Sequence, residues 1–243
     1  MLSANQNQIR TLIETGFTGA DREEALLYHV SVERKLESVK LWLQNVETSL
    51  PDIFSIPRTY TTSTADEPVI EERREIPNLE PTIIRISAYI DAFFMSGKST
   101  LDTFAHEIRH LYDIGDHTGD LYFNDILVML RNHHSNTELY SYINSINFND
   151  LSWYKDLSLY RKASTHESII QIKPTLDMDF LTTEWRTPLL KLPLDTAQKP
   201  LQYNGKNFIG TGREIRDELF NLVIESYDKI LNDINNGKTR INL

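Results

Sequence analysis

The spacing of apolar residues along the chain changes several times, and the changes mark its elements. Leu26, Val30, Leu36, Val39, Leu43, Val46 and Leu50 keep helical spacing until Pro51 interrupts them. Asp21 and Glu24 stand three apart at the head of this run in the form of an N-terminal capping pair, so a helix is expected to start there. Between Pro51 and Pro81 the pattern disappears. Five prolines, a Thr/Ser-rich stretch over 59–64 and a charge run over 71–75 predict a long connection covering 51–82.

The next pattern is the most informative. Ile83, Ile86, Ser87, Ile90, Phe93, Phe94, Gly97, Phe104, Ala105, Ile108, Leu111 and Tyr112 fall within about 60° of one line at 100° per residue. The stripe crosses Gly97 without losing phase, which a strand followed by a separate helix would do only by accident. The spacing therefore predicts one helix over 83–112, with Gly97 placed where another helix approaches closely. Shorter helices are expected over 121–130, 137–146 and 150–163.

Over 168–210 the texture turns to β-branched and aromatic residues with several prolines. Tyr203-Asn204-Gly205-Lys206 sits there between short apolar runs, and Asn-Gly is a two-residue hairpin signal. Thr211 and Glu214 form a second capping pair. A final helix over 212–236 then carries Ile215, Leu219, Leu222, Val223, Tyr227, Ile230, Leu231 and Ile234 to a stop at Gly237. The expected fold is mainly α: a helical bundle in one domain over 1–243, with a small β-hairpin insertion before the last helix.

Composition narrows the function. The 243 residues are 40% apolar and 25% charged, which is ordinary for a globular chain. There is no cysteine, so disulfides, thiolate metal sites and cysteine nucleophiles are excluded. Residues 1–13 lack the basic-then-apolar pattern of a signal peptide, which makes the cytoplasm the expected location. The most apolar stretch, 83–95, holds Arg85 and Asp91, so no membrane span is expected. A net charge of −10 disfavours broad coating of nucleic acid but leaves room for a small basic pocket acting on RNA.

Two motifs compete for the chemistry. His106-Glu107-Ile108-Arg109-His110 reads H-E-x-x-H, in which histidines one turn apart can hold zinc while the Glu activates its water. Composition alone would produce it about 0.015 times in a chain like this, so the match has to be weighed. Against a zinc peptidase stand the lack of a recognisable third ligand (Glu138 is the nearest thought) and the continuous helix where such enzymes place a strand first. Asp113 and Asp116 also occupy the places where the extended motif wants Gly and His. His106 and His110 lie roughly opposite the apolar stripe, and the plain structural reading is a solvated polar face.

The second motif is Arg161-Lys162-Ala163-Ser164-Thr165-His166, an R-x4-H at the end of a short amphipathic helix. Arg22 and His29 match the broader R-x4-6-H spacing, with six residues between them, inside a long helix, where a solvated face is expected. Arg161 shares a face with Tyr154 and Leu157, whereas a continued helix would place His166 about 140° away, so cooperation calls for the helix to end or distort between them. Structurally, Arg161 could instead pair with Asp156 or Glu167, and His166 could cap the helix.

The segments Ala88-Tyr89-Ile90-Asp91-Ala92-Phe93-Phe94, Ser99-Thr100-Leu101-Asp102 and Gly119-Asp120-Leu121-Tyr122-Phe123 together resemble a bacterial HEPN-domain family. Trp153, Leu157, Tyr160 and the R-x4-H residues through Glu167 stand where that superfamily carries its R-x4-6-H motif. The resemblance covers roughly 21–167. It implies a helical bundle, commonly homodimeric, in which Arg161 and His166 from two copies converge on a scissile phosphate. Many such proteins are metal-independent endoribonucleases of toxin–antitoxin or antiviral defence systems, which implies an RNA substrate, an antitoxin or defence partner, and no cofactor or metal. Active members usually carry Asn, Asp or His directly after the Arg; here it is Lys162. An inactive relative serving as an interaction module is the alternative within the same fold.

The chemistry suits the residues. Cleavage by RNA's own 2′-hydroxyl needs a proton carrier near neutral pH, which His supplies, and a permanent cation for the developing phosphorane charge, which a guanidinium supplies.

Overall fold

The computed structural model describes residues 4–54, 79–115, 121–148, 150–166, 173–175, 189–191 and 207–241. Three long helices form its frame: α2 (Gly19–Phe54), α3 (Leu79–Tyr112) and α7 (Phe208–Asn235). The stripe expected on α3 is its buried face. Ile86, Ile90, Phe93, Phe94, Phe104, Ala105, Ile108 and Leu111 are fully enclosed, and Ser87 and Tyr112 nearly so. On α2 the buried positions are Ala25, His29, Val32, Leu36, Val39, Leu43 and Val46, alternating steps of four and three residues. That spacing keeps one seam against a partner helix over many turns. Trp42 stacks on Tyr89 near one end of the α2–α3 seam, with ring centroids 5.9 Å apart, and His29 meets Glu107 near the other. The two helices therefore run antiparallel.

Around this frame lie α1 (Ala4–Gly16), α4 (Phe123–His133), α5 (Glu138–Ser145) and α6 (Ser152–His166). Strands β1 (Lys173–Thr175) and β2 (Leu189–Lys191) pair antiparallel, with Pro174 opposite Leu190. The pair falls inside the expected β segment; the Asn-Gly turn at 203–206 lies outside the described residues. The mainly α class holds, and the three short helices lie close to where the apolar spacing puts them.

Several boundaries differ from the sequence expectation. α1 is a helix the reading did not include: Ile9 and Ile13, one turn apart, anchor it in the core, with Leu12 half-buried beside them. α2 begins at Gly19, so Asp21 sits in its first turn, where negative charge suits the helix dipole, and Glu24 a turn further in, rather than the two forming a cap. It also passes Pro51 and ends at Phe54. Pro51 removes only one backbone donor near the helix end, so the helix stops within a turn. α3 starts four residues early, at Leu79, which shortens the expected 51–82 connection from both sides.

The last helix starts at Phe208, one turn before the expected capping pair. Asn207 is its N-cap, its side chain accepting from the Ile209 N–H. Thr211 is buried inside the helix, and Glu214 accepts from the Ser152 hydroxyl of α6 at 2.6 Å.

Two details show how the elements are locked. A Cβ built on Gly97 would lie 2.8 Å from a terminal methyl of Leu157, so α6 crosses α3 where any larger residue would have to push Leu157 aside. Asp233 of α7 is fully buried and accepts three hydrogen bonds: from the Tyr112 hydroxyl (2.7 Å) and from the Glu138 and Leu139 N–H groups (2.8 and 3.0 Å). It thus satisfies the open N-terminus of α5 and ties α3, α5 and α7 together. Burial and the Asp233 charge push the Tyr112 hydroxyl well above its ordinary pKa, which keeps it a donor. Among the described residues no helix is long and apolar enough to cross a membrane.

Candidate functional site

The R-x4-H segment ends α6, and the packing of that helix decides where its cations stand. Trp153, Tyr154, Leu157 and Tyr160 form the buried face. Leu157 fills the notch at Gly97, and the Tyr160 ring lies 4.9 Å from Phe94, which in turn lies 5.9 Å from Phe208 of α7. Arg161 follows at once and is half-buried at the rim of this aromatic cluster; Lys162 is exposed. Burial, with the Asp156 charge, pushes the Tyr160 hydroxyl up to about 12, so it stays a neutral phenol beside the cations.

The helix does not break between Arg161 and His166. It runs to His166, which places the two backbone positions about 140° apart around one axis. The side chains of 163–166 lie outside the described residues.

The H-E-x-x-H residues are placed differently from the solvated face expected of them. Glu107 is fully buried: one oxygen lies 2.7 Å from His29 Nδ1 and the other accepts from the Tyr227 hydroxyl at 2.6 Å. Its carboxyl therefore joins α2, α3 and α7 inside the bundle and is turned away from any water a zinc ion would activate. His106 and His110 are half-buried, and the ring of Tyr28 lies against both, stacked on His106 at 5.2 Å and edge-on to His110 at 6.1 Å. Among the described residues no group of three His, Asp or Glu is arranged to hold a metal. Glu138, the third-ligand thought, accepts instead from Asn232 at 2.9 Å.

The model of the Cthe2314-like HEPN family matches residues 42–235. The chain belongs to that family. No curated protein and no solved structure matches it. The HEPN match spans the C-terminal third of α2 and everything from α3 to α7, so it takes in Gly97, Leu157, Arg161, His166, Glu107 and Tyr227. It leaves out α1 and the first two thirds of α2, including His29.

Within this HEPN bundle the sequence reading missed how much polar chemistry is internal. His29 was read with Arg22 as part of a solvated face. Arg22 is indeed exposed, but His29 is 1% exposed. A signal existed: His29 falls in register with Ala25, Val32 and Leu36, so it occupies an apolar position of α2. Lys35 likewise turns inward between α2 and α3, donating to Ser99 and to the Thr103 hydroxyl. Burial pushes its ammonium down in pKa, and the charge of Asp102 partly offsets that. Of the other histidines, His133 is exposed, whereas His134 packs edge-on to Tyr112 at 5.5 Å. Trp153 is part of the core.

A mixed-charge cleft of about 450 Å³ opens where the α1–α2 junction, the end of α3 and the C-terminal segment meet. Asp21, Glu24, Arg109, His110, Asp113 and Arg240 line it, and Arg240 pairs with Asp21 at 2.5 Å. Its charges largely cancel, which suits a seam closing the C-terminal segment onto the bundle better than a phosphate site.

Proposed function

We propose that this HEPN protein is a metal-independent endoribonuclease, with Arg161 as the cation for the developing phosphorane and His166 as the proton carrier. The observation that carries the reading is the placement of Arg161. Its guanidinium stem rises from a helix whose position is fixed by Leu157 against Gly97 and Tyr160 against Phe94, while Lys162 stands exposed beside it. A cation held at the rim of a rigid cluster is better prepared for a charged transition state than one on a free loop.

One copy supplies a single such Arg and His, on different sides of α6. In a two-fold homodimer with this helix end at the interface, Arg161 of one copy could meet His166 of the other. It would also gather four cations, Arg161 and Lys162 twice, on a molecule of net charge −10. A toxin or antiviral role with an antitoxin or defence partner follows from the same reading. Lys162 favours a second reading, in which the same cations bind RNA without cleaving it.

The test is cleavage of single-stranded RNA in the presence of EDTA, combined with sedimentation. Dimeric protein whose cleavage survives chelation and is lost in Arg161→Ala and His166→Ala supports the reading. A monomer, or activity that disappears with EDTA, overturns it. Binding that depends on Arg161 without any cleavage selects the second reading.

A further inference from the structure

The His29–Glu107–Tyr227 cluster does nothing for the proposed site, yet it is the most enclosed set of ionisable groups described. All three residues are at most 1% exposed. Aromatic rings surround them: Tyr227 lies edge-on to His29 at 5.4 Å and to Phe104 at 5.3 Å. Water cannot easily replace a charge lost in such a place. Each member comes from a different helix of the frame, so whatever holds the cluster together holds α2, α3 and α7 together.

We infer that this cluster is a proton-dependent latch. With a proton on His29 the imidazolium clasps the Glu107 carboxyl and the three-helix seam is closed. Without it, Glu107 loses its counter-charge in a dry interior and the seam loosens.

The geometry sets the balance. His29 Nδ1 points at Glu107, 2.7 Å away, whereas Nε2 is buried with no hydrogen-bond partner among the described residues. Protonation therefore satisfies one ring nitrogen and leaves the other held only by the surrounding field. Tyr227 donates its hydroxyl to the second Glu107 oxygen and, buried beside Glu107 and Glu33, stays protonated well above its ordinary range.

Burial by itself pushes the imidazole down. The charge of Glu107, its hydrogen bond and the charge of Glu33 on α2 push it up, while Arg10 of α1 opposes them; the net direction is upward from 6.5. A group that binds its proton more tightly when folded contributes stability fully below its unfolded pKa and loses it as pH rises through the folded value. The latch is therefore closed in mildly acidic solution and opens as the solution turns alkaline.

The test follows the full-length chain from about pH 5 to 9, recording the unfolding midpoint and the ring resonances of labelled histidine. The His29 signal is assigned by its loss in His29→Gln, since the chain has 7 histidines. The expected result is a His29 titration centred above 6.5, with stability falling over the same interval. At its steepest the folding constant should drop up to about tenfold per pH unit, the limit for one proton. Glu107→Gln keeps the shape and removes the carboxylate, so it should abolish that slope. A His29 titration at or below the ordinary value, or the same slope in wild type and Glu107→Gln, overturns the latch. If Glu107→Gln does not fold, the wild-type His29 titration alone decides.

Discussion

Glu107 and Arg161 are the centres of the two motifs with chemistry to offer, and the bundle treats them in opposite ways. Around Glu107 every polar atom faces inward: His29 and Tyr227 take both carboxyl oxygens, and nothing reaches solvent. On α6 the buried face reaches Tyr160, and Arg161 and Lys162 follow it, half-buried and exposed in turn. Of the motif rarer by composition, the central Glu107 is turned into the core; of the commoner one, Arg161 is half-buried and Lys162 exposed. Motif rarity measures whether residues coincide by chance, whereas burial and hydrogen-bond partners decide whether they can do chemistry.

The comparison breaks most readily at Glu107. Glu107→Ala leaves the His29 ring and the Tyr227 hydroxyl buried without their shared partner, and removal of one member of such a group typically costs about 3–5 kcal/mol. Denaturant unfolding should show that loss, and any fall in RNA cleavage should track the fraction unfolded. A variant that stays as stable as wild type yet loses cleavage would place Glu107 in the chemistry and reverse the contrast.

The next largest effect lies between the two regions, at the crossing of α3 and α6. Gly97→Leu forces a side chain into the space of Leu157 and should cost about 1–3 kcal/mol. Shortening the opposing side chain makes room, so Gly97→Leu with Leu157→Ala should cost less than the sum of the two single changes. Additive costs would mean that the helices do not meet there. If Arg161 and His166 cleave RNA, the same overpacking should lower cleavage by more than the stability loss alone, because Tyr160 and Arg161 follow Leu157 on α6.

The contrast also explains what the chain made legible. The α3 stripe and the role of Gly97 could be read because apolar burial repeats with the helix period and glycine interrupts it only for a neighbour. His29, Glu107 and Asp233 could not be read that way. Their partners lie 78, 120 and 94 or more residues off in sequence, and an isolated polar residue looks the same whether it meets water or a buried acceptor. The second buried face of α3, with Thr100, Thr103 and Glu107, is polar in composition and so looked solvated. At the helix starts, Asp21 with Glu24 and Thr211 with Glu214 had the right spacing for capping. Gly19 and Asn207 mark the true starts, each beside a buried aromatic, Phe17 and Phe208.

The smallest expected effect on stability is at Lys162, and it is the sharpest probe of the Arg161 half of the contrast. Lys162 is exposed on α6, so Lys162→Asn should change stability by no more than about 0.5 kcal/mol, the helix-propensity cost included. Its effect on chemistry should be larger than its effect on fold. An amide next to Arg161 can both donate to a phosphate oxygen and orient a neighbouring group, whereas an ammonium supplies charge without that second role. If Arg161 and His166 cleave RNA, Lys162→Asn should raise the single-turnover cleavage rate while weakening RNA binding, since one cation per copy is lost. If the edge only binds RNA, the same substitution should weaken binding and leave cleavage absent. A Lys162→Asn protein with unchanged binding and unchanged cleavage would show that RNA does not meet this edge at all, and the distinction drawn between Arg161 and Glu107 would then be one of burial alone.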